Sequence, residues 1–188
     1  MSVSILIRRL DAELCPLDFN RSKVTWNRSF DGFIDVVDVQ RSKSRELVTL
    51  NAGVLDVATH ELVFGAKVPE TIEEPWCTVR ARIGELVEGK DLWWKATDLA
   101  TPDNLVEKLR DHVLPFFQRM HSLAEMAEFL IATGVQRRKY PLPILQLAAL
   151  RFRMGERTEA CRILDEIRAS NIQAWQARVA GLRARFAC

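Results

Sequence analysis

The sequence predicts an α+β protein: an antiparallel sheet of about four or five strands packed by helices, followed by an all-α C-terminal helical segment. Three observations predict it. Residues 24–30 and 47–54 alternate in the manner of strands, and a β-branched-rich run over 33–40 lies between them, after an Asp31-Gly32 pair. Residues from Thr101 onward carry apolar residues at helical spacing between caps and breakers. The charge divides in the same sense, net −5 over residues 1–134 and net +7 over residues 135–188. The expected organisation is therefore an α+β domain over 1–134 and a helical segment over 135–188.

The elements follow in order. Ile5, Leu6, Leu10 and Leu14 have helix-compatible spacing, and Pro16 ends that segment. Val24 to Phe30 and Phe33 to Gln40 read as strands, because Asp31-Gly32 suits a tight hairpin in which both turn residues need positive φ. Leu47 to Val54 completes a three-stranded meander. Leu62-Val63-Phe64 reads as a short strand, Pro69 to Pro75 as an acidic loop, and Cys77 to Leu86 as a further strand. In that strand Val79, Ala81 and Ile83 take one side, with Cys77 on the core side, and Arg80 and Arg82 take the other.

Thr101-Pro102 opens the helical part, with Thr101 expected to cap and Pro115 to kink or split the helix that follows. Ser122 and Glu125 have the form of a capping box, and that helix stops at Gly134. Beyond the basic connector at 136–139 lie three helices, about 143–154, 157–169 and 171–186. Gly155 separates the first two, and Ser170 or Asn171 caps the last.

The order and spacing of several short motifs carry a resemblance. Trp26-Asn27-Arg28 comes first, then Val39-Gln40-Arg41-Ser42-Lys43 and Thr49-Leu50-Asn51-Ala52-Gly53-Val54. Cys77-Thr78-Val79-Arg80-Ala81-Arg82-Ile83-Gly84 and Asp91-Leu92-Trp93-Trp94 follow. Over roughly residues 5–130 this resembles the bacterial family catalogued as domain of unknown function 4304. The resemblance implies an α+β fold and no catalytic residues. Some members resemble immunity-type proteins that neutralise toxins. Leu145 to Leu164, with Ala148, Gly155 and Ala160 at close-packing positions, resembles one tetratricopeptide helix pair. No 34-residue period recurs, so the pair is expected to act as a helical cap.

The chemistry-bearing residues narrow the function. His60, His112 and His121 include no i, i+4 pair, and no HExxH occurs, which argues against zinc. No glycine-rich phosphate loop is present. Asp35 and Asp38 fall on opposite faces of one strand and make no acid–base pair. Cys15, Cys77, Cys161 and Cys188 are widely scattered and are expected as reduced thiols in a cytoplasmic protein, with Cys77 buried and inert. The N-terminal apolar stretch is too short for a signal peptide, and no run approaches the ~20 residues of a membrane span. No cofactor is expected.

Two groups of residues suit recognition. Gln40, Arg41 and Lys43, with Arg80, Arg82, Trp93 and Trp94, pair arginines with tryptophans, a combination found at anion sites and at protein hot spots. The alternative for this group is structural, with Arg82 paired to Asp91 and a tryptophan plugging the sheet. Arg178, Arg183 and Arg185 have no acidic neighbour in the last helix, unlike the arginines before them. The sequence leans against an enzyme and toward a non-enzymatic protein-binding protein of the immunity or antitoxin type, its partner a cognate toxin. The alternatives are a nucleic-acid-associated protein using the basic C-terminal helices, or an enzyme with its site near Arg80 to Trp94.

Overall fold

The hairpin that the Asp31-Gly32 pair demands forms in the computed structural model, which describes residues 3–134, 140–167 and 173–188. Asp31 and Gly32 have φ of 43° and 81°, the left-handed values that a tight two-residue connection requires. In chain order the elements begin with α1 (Val3–Leu14), β1 (Asn20–Ser22), β2 (Thr25–Phe30), β3 (Phe33–Arg41), β4 (Leu47–Asp56) and α2 (Val57–Phe64). They continue through β5 (Val79–Arg82), α3 (Ile83–Glu88), β6 (Trp94–Lys95), α4 (Thr101–Lys108) and α5 (Leu114–Met120). The remaining helices are α6 (Leu123–Ala132), α7 (Leu142–Arg153), α8 (Arg157–Glu166) and α9 (Gln173–Phe186). The fold class is α+β, as the sequence predicts.

The chain divides into two compact units. The sheet unit comprises residues 1–55 and 69–119; the helical unit comprises residues 56–68 and 120–188. In the sheet unit the strands run β1-β2-β3-β4-β5, and β6 pairs with β4 off that path. Thr25 stands opposite Asp38 and Trp26 opposite Val37, which fixes two unlike faces. Trp26 is fully buried, and its Nε1 donates to Asp11 of α1 at 2.9 Å. The opposite face carries Thr25, Asn27, Asp38, Gln40 and, from β4 and β5, the paired Asn51 and Arg82. Buried Leu6, Leu10, Leu14, Leu105, Leu109 and Phe117 complete the unit's core.

In the helical unit, α2, α6, α7, α8 and α9 bury Met126, Leu130, Leu145, Leu164, Leu182 and Phe186 among others. α7 and α8 join through Gly155 at φ +84°, a backbone shape that glycine adopts without a Cβ penalty. Ser122 caps α6 through the Glu125 amide, as its motif predicts.

Several expectations need correction. Leu62-Val63-Phe64 is the end of helix α2, not a strand. A short apolar run does not distinguish the two periods, and the ends decide. Asp56 accepts from the Thr59 amide at 2.8 Å, and Gly65 closes the helix at φ +67°. The strand expected over 77–86 spans only Val79–Arg82. There the Glu85 carboxylate reaches back to the Arg82 amide at 2.8 Å and starts α3, so Ile83 lies in a helix. Thr101 is already helical and does not cap; its hydroxyl donates to the Lys95 carbonyl at 2.8 Å. The helical run expected to kink or split at Pro115 is divided ahead of it, α4 ending at Lys108 and α5 opening at Leu114. The preceding turn widens to a π-helix over Leu109–Val113, with the Leu114 amide donating to the Leu109 carbonyl. The edge strand β1 has no apolar alternation to announce it.

The expectation that all cysteines stay reduced is overturned by a disulfide between Cys161 of α8 and Cys188 at the end of the chain. Their separation of 27 residues gave no local signal. Cys15 and Cys77 are free. The connector at 136–139 and the expected cap at 170–171 lie outside the described residues. Among the described residues no helix is long and apolar enough to cross a membrane.

Candidate interaction surfaces

The polar face of the sheet is organised by Arg82. Alternation along β5 points it to the same side as Asn51, its register partner on β4. Its Nη1 donates to Asp91 at 2.6 Å, its Nη2 to Gln40 at 3.0 Å and its Nε to Asn51 at 3.3 Å. Its guanidinium also lies over the Trp93 ring, 4.9 Å from the centroid. Asn51 in turn donates to Gln40 at 2.9 Å. Each edge of the guanidinium is thus occupied by the protein itself, which is the structural arrangement weighed from the sequence. Arg80 reaches Glu74 at 3.4 Å. Trp94 pairs with Val48 as part of β6. Arg41 lies near the Arg45 carbonyl at 3.4 Å, and Lys43 is exposed in the loop beyond it. The structure therefore brings Gln40, Arg82 and Trp93 together and leaves Arg41, Lys43 and Trp94 apart from them.

The other motif residues interlock in the same manner. Arg28 donates to buried Asp35 through Nη2 at 2.7 Å and Nε at 3.0 Å. Asn27 donates to the Ile72 carbonyl at 2.9 Å and accepts from the Ile72 amide at 2.7 Å, tying the 69–77 loop to the sheet. Thr49 donates to the Leu92 carbonyl at 3.0 Å. A Cβ on Gly53 would stand 2.6 Å from the Cys77 Sγ, so the two motif residues are packed against one another. Burial pushes the Cys77 thiol well above its ordinary range, with the Glu74 charge adding to it and Arg80 opposing. That thiol is not a nucleophile at neutral pH.

At Gly84 a Cβ would stand 2.5 Å from both the Leu92 amide nitrogen and the Lys90 carbonyl oxygen. Neither backbone atom can swing away as a side chain would. Gly84→Ala is expected to destabilise the sheet unit by about 1–3 kcal/mol, read from urea unfolding. An unchanged midpoint would show that the Lys90–Leu92 segment does not press on α3.

The same face holds two carboxyls above their ordinary values. Burial raises Asp38; hydrogen bonds from Thr25 and Asn51 oppose the rise and the Glu73 charge adds to it. Burial raises Glu74, against Arg80 and with Asp38. A raised acid holds its proton longer in the folded chain than in the unfolded one. Its contribution favours folding below the ordinary value and is lost as pH rises through the shifted one. Asp38→Asn keeps an oxygen for the Thr25 hydroxyl, which donates at 2.8 Å. It is expected to exceed the wild type in stability at neutral pH, with the gap closing as pH falls toward 3.8. A gap independent of pH in urea titrations would contradict this assignment.

In the helical unit the last helix is less alike along its length than its sequence implies. Arg183 is neutralised by Asp165 of α8. Arg185 donates to the Leu62 carbonyl at 2.7 Å, satisfying an acceptor at the C-terminal end of α2. Arg178 differs from both. Its guanidinium lies 4.7 Å from the Phe64 ring centroid and 5.6 Å from that of Trp175. No carboxylate or hydrogen-bond acceptor among the described residues meets it. Arg178 and Arg185 both line a surface groove of about 360 Å³ between the end of α2 and α9. Below it, His60 packs 4.5 Å from Phe64 with its Nδ1 buried and unpartnered among the described residues. Burial holds the His60 imidazole below its ordinary value, with Glu61 opposing and Arg178 adding to the effect. The positive charge at the groove is therefore arginine charge. Phe64 was not singled out in the sequence as a partner of Arg178, because that pairing joins distant segments; Trp175, three residues before Arg178 on α9, was a local signal left unread.

A second groove, of about 390 Å³, lies in the sheet unit beside Trp76, which is 47% exposed. Its walls bring Lys23 and Glu73 together, charges of opposite sign. Among the described residues no cluster of three histidine, cysteine or carboxylate side chains is arranged to hold a metal ion.

No curated protein matches the chain. No solved structure matches it either. A family model described as domain of unknown function (DUF4304) matches residues 10–119, and that match ends on the last residue of the sheet unit. The interlocked motif residues from Trp26 to Trp94 all fall inside that stretch, and the chain belongs to the DUF4304 family.

Proposed function

We propose that this is a non-enzymatic protein-binding protein of the bacterial immunity or antitoxin type, which acts by occluding a partner toxin. One observation carries the reading. The aromatic-flanked Arg178 is displayed in an open surface groove, and among the described residues no acceptor meets its donors. Arginine set among aromatic rings is the chemistry of binding hot spots. The residues an enzyme would have used in the Arg80 to Trp94 region are instead bonded to one another. A nucleic-acid reading draws less support, because Arg151, Arg162 and Arg183 are each paired with carboxylates and form no open basic stripe. The helix pair α7–α8 packs against α9, the helix that carries Arg178, and so supports the groove.

The test is co-expression with the product of the adjacent gene. A stable complex together with protection of the host from that product is the expected result. Neither a complex nor protection would overturn the reading.

A further inference from the structure

Arg178, Gly181, Leu182 and Arg185 occupy positions i, i+3, i+4 and i+7 of α9, and so share one face of the helix. All four line the groove against the end of α2. Two turns of helix, about 10 Å, separate the two arginines along the axis. Between them Gly181 has nothing within 4 Å of where a Cβ would stand, so the floor of the groove is open. Its walls are apolar where Val63 and Leu182 line it.

The two arginines are not equivalent. Arg185 is committed to the Leu62 carbonyl. Arg178 lies over two ring faces, 4.7 Å and 5.6 Å from their centroids, and a guanidinium holds its five N–H donors in one plane. Among the described residues those N–H groups meet no acceptor. A planar fork with fixed orientation and free donors matches the two oxygens of a carboxylate. The unit around it favours that sign of charge, since residues 56–68 and 120–188 carry 12 basic and 8 acidic side chains.

We propose that this groove binds an acidic segment of a protein partner, with an Asp or Glu carboxylate bidentate on Arg178 and a neighbouring apolar side chain lying over Gly181. The assignment rests on the protein-binding reading above and names what that partner must present. A nucleic-acid strand fits less well, because backbone recognition needs several free cations along a track. Arg183 is neutralised and Arg185 is engaged.

The experiment is an NMR titration of the full chain, observing arginine Nε–Hε resonances, with Arg178 assigned by its loss in Arg178→Lys. The probe is N-acetyl-Leu-Glu-Leu-amide, with its Gln counterpart and a short oligothymidylate as controls. The expected result is a saturable shift of the Arg178 resonance by the Glu peptide, with a Kd on the order of 1 mM. The Gln peptide should bind at least about tenfold more weakly. In Arg178→Lys, which keeps the charge and loses the fork, amide resonances around the groove should report binding weakened by about the same factor. Equal shifts with the Gln peptide, or none with either, would overturn the proposal. Tighter, Arg178-dependent binding of the oligothymidylate would overturn it in favour of nucleic acid. A partner complex that forms with Arg178 unperturbed sinks this site alone. A peptide that binds where co-expression yields neither complex nor protection sinks the immunity reading alone.

Discussion

Replacing Arg28 with alanine is expected to destabilise the sheet unit by about 3–5 kcal/mol. Asp35, its partner across the β2–β3 ladder, is 0% exposed. Its Oδ2 accepts from both Nε and Nη2 of Arg28. The substitution leaves a carboxylate in the interior without its guanidinium, and it also removes the arginine from the Phe19 ring, 4.6 Å away. Attraction within the pair does not make the pair indispensable, because both ions lose hydration on burial. The double replacement Arg28→Met with Asp35→Leu is therefore expected to recover most of the loss. Urea unfolding of the two single variants and the double variant closes the cycle. Single variants within about 0.5 kcal/mol of wild type would place Asp35 in contact with water.

Reducing the Cys161–Cys188 disulfide is expected to cost the helical unit about 3.5 kcal/mol, from the entropy that a 27-residue closure removes from the unfolded chain. The closure is reinforced locally. Phe152 and Phe186 stack at 4.0 Å, Arg157 donates to the Ala187 carbonyl, and the Cys188 amide donates to the Arg183 carbonyl at 3.0 Å. Since α9 carries Arg178, loss of the staple should loosen the proposed site as well as lower stability. Comparing Cys161→Ser with wild type, each with and without dithiothreitol, separates the bridge from the side chain. The reductant should lower the wild-type midpoint to that of the variant and leave the variant unchanged. Equal midpoints for oxidised and reduced wild type would mean that the contacts around Phe186 hold the terminus unaided.

What the sequence made legible was local. Asp31-Gly32 reads as a hairpin because two adjacent residues must take positive φ, and both do. Ser122 with Glu125, Gly134 and Gly155 read as helix ends because capping is chemistry within a few residues. The Arg82–Asp91 pair was legible as one of two alternatives, since nine residues and a short helix bring the two together. The remaining features depend on contacts between distant segments. The exception is α2, whose closing residues Asp56 and Gly65 are local, and whose short apolar run alone reads as a strand. Asp165 and Arg183 belong to different helices, so the charge pattern of α9 alone made Arg183 look free. Arg178 meets a ring from α2, far away in the chain, and neither segment hints at the other.

The DUF4304 motif residues are the interlocking parts of a scaffold, and Arg82 is the most heavily bonded of them. Urea unfolding of Arg82→Ala is the most direct measurement of that claim. Asn51, 7% exposed, would lose a charged donor, Gln40 and Asp91 would lose theirs, and Trp93 would lose its cover. The scaffold account predicts a loss of about 2 kcal/mol. A variant that unfolds at the wild-type denaturant concentration would contradict it, and would return the Arg80 to Trp94 region to the status of a working site.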